Sequence, residues 1–374
     1  MSYINHLEIK NKIRTLTNNN VSLRVLDDIK QHLEQYPLEE LEDFYQKSLR
    51  LELSKLNSYF TKQLLDIIQI RKSHYIRSNY DNVLSIKLVL PIHCNAKCEF
   101  CYLRKEEHNL AFDKKQFLDN FISSLREVIS KNYGKAMSLD ISGVGEPTFN
   151  LKFLKKVVDK LKESDIIKNF IRVTFTTNGY KLKEALPIIA DIVNYVNISI
   201  HNIDENKRKE IFHTNTTPNN EELDNLILTS YNLYNIKVSS VFVIDRLSCE
   251  DFYKINDWCI DKGFYTNRIR FNVYEPTTFK KRVSKLLVEE CRTLDNNLSV
   301  VYGENEIESS YYITLYKNNL LCYIFDGTPD TASNAYGIGV NILDDGIAYI
   351  DFYKQYPLTE YPLPINYVLV KKNL

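Results

Sequence analysis

Between Val83 and Tyr274 the chain repeats one pattern. A short run alternates apolar and polar residues, and a longer run then places apolar residues every three or four positions. The alternating runs predict strands at Leu84–Pro91, Met137–Ser142, Ile171–Thr176, Tyr195–His201, Lys237–Ile244 and Arg268–Tyr274. The longer runs predict helices, as in Asp113–Lys131, where Phe117, Phe121 and Leu125 form one stripe. Six strand–helix units imply a parallel sheet covered by helices. A closed eight-stranded barrel needs more units, so an open six-unit barrel fits.

The alternation itself carries information. A parallel strand buried on both faces reads as almost wholly apolar. Here Ile198 and Ile200 alternate with Asn197, Ser199 and His201, and Leu139 and Ile141 alternate with Ser138, Asp140 and Ser142. Val173 and Phe175 alternate with Arg172, Thr174 and Thr176, and Ile269, Phe271 and Val273 with Arg268, Arg270, Asn272 and Tyr274. Successive side chains point to opposite faces, so the inner face is polar. Burying that many polar groups without partners is costly. A lumen holding water and a polar ligand resolves the conflict.

Residues 1–82 read as an N-terminal helical region, with Leu26, Ile29 and Leu33 on one face, a break at Pro37, and Leu41, Phe44, Tyr45 and Leu49 resuming it. Leu64, Ile67 and Ile68 suggest a third helix, and plain packing is the favoured role. The core barrel is expected over 83–280 and a C-terminal extension over 281–374. In the extension, Asp344-Asp345-Gly346 would turn a hairpin.

Composition narrows the function. The 374 residues suffice for one large barrel with appendages. Lys+Arg and Asp+Glu number 48 each, so no global field favours nucleic acid or membrane. No apolar run approaches the ~20 residues of a membrane span, and the amino terminus lacks a signal-peptide apolar core. Seven cysteines, three in one tight run, point to a reducing, cytoplasmic compartment.

That run is C-N-A-K-C-E-F-C, with Cys94, Cys98 and Cys101 at C-x3-C-x2-C spacing. Thiolates hold iron–sulfur clusters, and a cubane usually takes four. Three on one loop leave one iron open to another molecule. Zinc is the alternative, and it would need His93 or His108 as a fourth ligand. Cys259 and Cys291 read as core residues, Cys259 beside Phe252 and Ile255, Cys291 beside Leu287 and Leu294. Cys249 sits in a loop.

The cysteine spacing, with Phe100 and Tyr102 flanking Cys101, resembles the signature of radical S-adenosylmethionine (SAM) enzymes. Ser142–Thr148 resembles that family's G-G-E-P turn, whose backbone meets the SAM amino group. Val144 replaces the first glycine, which suffices if only Gly145 needs a glycine-only conformation. Thr174–Tyr180 ends in an Asn-Gly turn, and Asn197–His201 places a serine where the family often uses a polar residue near SAM. The resemblance implies a partial (β/α)6 TIM-like barrel with one 4Fe-4S cluster on Cys94, Cys98 and Cys101. It implies SAM contacts from Phe100, Gly145, Glu146, Asn178 and Ser199, and an electron donor of flavodoxin or ferredoxin type. His201, Arg270 and Tyr274 are the candidate catalytic residues around the substrate.

Many relatives that modify peptides carry a SPASM or twitch extension with a second cluster. Here Cys322 precedes the Gly346 hairpin, but Asp351 stands where the pattern wants cysteine. The extension thus resembles a degenerate version without an auxiliary cluster, or an unrelated α+β cap. A peptide or protein substrate is the first expectation. A nucleotide or other small polar metabolite is the second, from the polar lumen and Arg270, and Arg270–Pro276 also resembles the sixth-strand end of the GTP 3′,8-cyclase of molybdenum-cofactor synthesis. A non-catalytic iron–sulfur sensor or scaffold is the third.

Overall fold

Helices begin where the sequence supplies a cap. The computed structural model describes residues 84–101, 113–132, 136–244, 247–271, 286–291, 293–294, 299–305, 310–317, 320–325 and 339–349, and five helical positions nearer the amino terminus. Asp113 caps helix α1 (Lys114–Lys131), its carboxylate accepting from the backbone N–H groups of Lys115 and Gln116. Asn150 caps α2 (Leu151–Glu163) through the Phe153 N–H, and Asn219 closes a reciprocal capping box on α5 (Asn220–Tyr234) with Glu222. Ser248 caps α6 (Cys249–Lys262). Each such cap contributes about 0.5–2 kcal/mol. Between α2 and α5 lie α3 (Leu182–Ile189) and α4 (Glu205–Phe212).

Strands β1 (Leu84–Leu90), β2 (Met137–Gly143), β3 (Arg172–Thr177), β4 (Tyr195–Ser199), β5 (Lys237–Ile244) and β6 (Thr266–Phe271) lie side by side in chain order, all parallel. This is the expected α/β arrangement, and the sheet is not closed. β4 ends two residues earlier than the alternation predicts, because His201 adopts φ 61° in the left-handed region. Of the expected sixth strand, positions beyond Phe271, Tyr274 among them, lie outside the described residues.

The apolar half of each strand faces the helices. Ile86, Leu88, Leu139, Ile141, Val173, Phe175, Val196, Ile198, Val238, Phe242 and Ile269 are buried in one core. Phe117, Phe121 and Leu125 of α1, Leu154 and Val158 of α2 and Leu186 of α3 pack into the same core. Each fully buried side chain of this size contributes about 1.5–3 kcal/mol.

The strands after residue 280 continue the same sheet. β9 (Leu320–Phe325) pairs parallel with β6, and β8 (Ser310–Lys317) and β7 (Ser299–Asn305) follow it antiparallel. β10 (Gly339–Ile342) pairs parallel with β1, and β11 (Ala348–Tyr349) returns beside it. Residues 80–374 form one compact unit. The Asp344–Gly346 turn forms as expected, and Gly346 has φ 78°. A Cβ there would also lie 2.8 Å from the Phe117 carbonyl of α1. Ser124 Oγ donates to the Gly346 carbonyl and Asn120 Nδ2 to that of Asp345. The hairpin is thus locked onto the barrel's first helix.

Residues 1–79 form a separate compact unit. Ile29, Leu33 and Leu64 are helical and fully buried there, as their apolar spacing predicts, and the other positions of that reading lie outside the described residues. Among the described residues no helix is long and apolar enough to cross a membrane.

Candidate functional site

The cysteine loop begins where β1 ends, at the carboxyl edge of the parallel sheet. Barrel enzymes of this topology place their chemistry at that edge. Cys94 is exposed, and Cys98 and Cys101 are half-buried. The Ala96 N–H points at the Cys94 sulfur at 3.4 Å, and the Cys101 N–H donates to the Cys98 carbonyl.

Three other strand-end loops grip this one. After β2, the Glu146 N–H donates to the His93 carbonyl, and the Val144 N–H to that of Leu90. Gly145 lies flush on the loop: a Cβ there would sit 2.3 Å from the His93 carbonyl carbon and 2.5 Å from the Cys94 nitrogen. Gly145 is absent from the positive-φ glycines, so lack of space, rather than a glycine-only conformation, demands it. After β3, Asn178 Nδ2 donates to Asn95 Oδ1 at 2.8 Å. Beyond β4, Asn95 Nδ2 donates to Thr216 Oγ1 at 2.8 Å, and the Lys97 N–H to the Phe212 carbonyl at 2.7 Å. The four sequence motifs therefore meet at one place.

Glu146 is the brace between two of these loops. It is almost wholly buried. Its Oε1 accepts from the Thr148 N–H, the Thr148 hydroxyl and the Thr177 hydroxyl, and its Oε2 from the Asn178 N–H at 2.6 Å. Burial pushes its carboxyl above the ordinary value, and the hydrogen bonds from Asn178, Thr177 and Thr148 hold it back. Its side chain is therefore committed to the protein.

His201 closes β4. Its ring meets Phe100 of the cysteine loop edge-on at 4.7 Å and Phe212 at 5.0 Å. Nδ1 accepts from the Val243 N–H at 3.0 Å, which leaves the proton on Nε2. Burial, with the Arg208 charge nearby, pulls its pKa down to about 3. The imidazole stays neutral at physiological pH, and its contacts are those of a packing group. A lowered histidine pKa means the unfolded chain binds the proton more readily. Stability from this site is therefore full above pH about 6.5. It falls by about 1.4 kcal/mol per pH unit between about 6.5 and about 3. We expect the His201 carbon-bound ring protons to show no chemical-shift titration by NMR between pH 5 and 8. A midpoint near 6.5 would mean the ring is solvated.

The inner face carries a polar network. Thr176 Oγ1 donates to Asp140 Oδ1 at 2.9 Å, and Asn197 Nδ2 to Thr176 Oγ1 at 3.3 Å. Lys87 is drawn down to about 8, first by burial and then by the Arg270 charge, while Asp140 opposes the fall. In a flat sheet β1 and β6 would stand about 24 Å apart. The reach of Arg270 to Lys87 therefore marks the curl of the sheet around a lumen. Ser199 is half-buried at the inner end of β4.

Arg208, Asn95 and Thr216 belong to the site's scaffold and were not among the expected residues. Arg208 is fully buried and donates to the carbonyls of Asn202, Ile203 and Pro218 and to Asn220 Oδ1, bracing the segment that carries Thr216. In the sequence it hides in the charged run Glu205–Glu210, which reads as a solvated helix face. Asn95 was signalled only by its place inside the cysteine motif.

The parallel sheet thus carries a three-cysteine loop braced at its carboxyl edge by the loops after its next strands. Residues 89–241 match the model of the radical SAM superfamily. The structure is similar to Streptococcus suis SuiB bound to precursor peptide SuiA, with 15% identity, 92% of this chain and 76% of that chain covered, and a TM-score of 0.47. It is similar to anSMEcpe with bound AdoMet at 16% identity, covering 74% and 77% with a TM-score of 0.46. It is similar to methylornithine synthase (PylB) at 12%, covering 65% and 67% with a TM-score of 0.38. No curated protein sequence matches the chain.

The family implies a 4Fe-4S cluster and SAM. The donor set fits. Cys94, Cys98 and Cys101 offer three sulfurs, exposed or half-buried, on one anchored loop. A cubane takes one thiolate per iron, so three thiolates on one loop leave the fourth iron open.

Proposed function

We propose that this radical SAM enzyme abstracts a hydrogen atom from a polar substrate held in the lumen below the cysteine loop. The observation that carries the reading is the polar inner network of Asp140, Thr176 and Asn197, closed off from the helices by the apolar outer halves of the same strands. When bound, the cluster and SAM supply an electron and a 5′-deoxyadenosyl radical. The chain's own part is positioning and exclusion of water. Cys94, Cys98 and Cys101 hold the cluster. The Gly145 backbone, the Phe100 backbone and Ser199 orient SAM. Glu146 and Asn178 act through the loops they brace, and His201 fixes Phe100 by packing. Arg270 holds substrate.

The expectation of a peptide substrate drew on the C-terminal hairpin. That hairpin pairs with β1 as the barrel's own edge, so the lumen is the better guide to substrate. Reconstitution under anaerobic conditions, followed by reduction with dithionite, should give 5′-deoxyadenosine from SAM, slowly even without substrate. S-adenosylhomocysteine as the main product would overturn the reading. Ser199→Ala should weaken SAM binding by about 0.5–1.5 kcal/mol, the net worth of one hydrogen bond. Equilibrium dialysis showing unchanged affinity would remove Ser199 from the site.

A further inference from the structure

We propose that the lumen recognises its substrate through an oxyanion, a carboxylate or phosphate group, received by Arg268 and Arg270 with Lys87 beside them. This rests on the lumen being the substrate site. On β6, Ile269 belongs to the outer core, and Asn267 is fully buried and bonded to Ser240, which itself meets Cys259 of α6. The period of two then turns Arg268 and Arg270 to the opposite, inner face. On β1 and β2 the same argument turns Lys87 and Asp140 inward, because Ile86, Leu88, Leu139 and Ile141 are in the core. Lys87 stands opposite Asp140 in the pairing of β1 with β2, and the Arg270 charge reaches it.

On this inner face stand Lys87, Arg268 and Arg270 together with Asp140, which accepts from Thr176. Lower down, Arg172 and Lys237 lie over the Tyr195 ring, and Lys237 also over that of Tyr265. They are engaged with the floor. Arg268 Nε is buried and meets no hydrogen-bond acceptor, and among the described residues Arg268 has no ion-pair partner. A buried, unmatched cationic donor is costly. A planar fork of this kind matches the two oxygens of a carboxylate or phosphate. An incoming oxyanion would satisfy the orphaned donor.

SAM brings a carboxylate of its own, so the test uses the anaerobically reconstituted enzyme already loaded with SAM. It is titrated by calorimetry with inorganic phosphate and, separately, with glutarate. We expect saturable binding of at least one, weakened on the order of tenfold, about 1.4 kcal/mol, in Arg268→Gln. Arg268→Lys should lose less. Lys155→Gln, on the exposed face of α2, should bind as wild type. If Arg268→Gln does not fold, Arg270→Gln carries the same expectation. The proposal is overturned if neither anion saturates below about 10 mM. It is equally overturned if Arg268→Gln binds as tightly as wild type, which would mean an adventitious ion only. Failure of the radical reading would register separately, as absence of 5′-deoxyadenosine from the wild-type enzyme whatever the titration gives.

Discussion

Cys98→Ala should abolish SAM cleavage and leave the protein folded. Cys98 is half-buried on a loop outside the apolar core, so removing its sulfur opens no core cavity. Its carbonyl accepts from the Cys101 N–H, and that bond survives the substitution. The secondary structure and melting temperature of the apoprotein should therefore stay close to wild type. The cluster is another matter. Wild type should hold about four irons per chain after reconstitution, because a cubane needs three protein thiolates and one exchangeable corner. With two thiolates the iron content should drop below about one per chain, and the broad visible charge-transfer absorption should vanish. About eight irons in wild type would point to a second cluster. Retained 5′-deoxyadenosine production in Cys98→Ala would show that the cysteine loop is not the cofactor site.

Much of this site is legible in the sequence, because strand period and motif spacing are local properties. The cysteine spacing, the Gly145-Glu146-Pro147 turn and the Asn178-Gly179 turn each sit at a predicted strand end. Parallel strands in chain order bring such ends together. What escapes the sequence is non-local. His201 continues the alternation by composition, yet its left-handed backbone ends the strand, and nothing in N-I-S-I-H announces that. The Gly346 hairpin reads as an appendage because its pairing partner, β1, lies some 250 residues earlier, as in Ser85 opposite Gly339. Cys249 reads as a loop residue, yet it opens α6 and its sulfur lies 2.7 Å from that of Cys291. Leu294, expected on the buried face with Cys291, is 69% exposed. Glu146 reads as a cofactor contact by motif, but its four hydrogen bonds go to its own chain.

Gly145→Ala should disable the site without touching a single ligand. The added methyl would fall within 2.5 Å of the His93 carbonyl oxygen and the Cys94 nitrogen, and these are backbone atoms that cannot rotate aside. Either the turn after β2 or the start of the cysteine loop must move. Moving the turn breaks the Glu146 N–H bond to His93 and disturbs the buried Glu146 carboxylate, whose partners Thr177 and Asn178 fix the loop after β3. Moving the loop displaces Cys94 directly. Both routes cost more than the 1–3 kcal/mol typical of overpacking, because buried hydrogen bonds are lost with the strain. We expect a melting-temperature drop of several degrees and weaker cluster retention under chelator challenge. SAM affinity should fall by an order of magnitude or more. The control is Val144→Gly at the neighbouring position, which restores the family's first glycine and removes only a partly buried side chain packed beside Val89 and Leu343. It should keep the cluster and SAM binding. If Gly145→Ala retained wild-type iron and SAM affinity, the turn after β2 would not be the seat of the cysteine loop, and the convergence of motifs at this edge would be incidental to function.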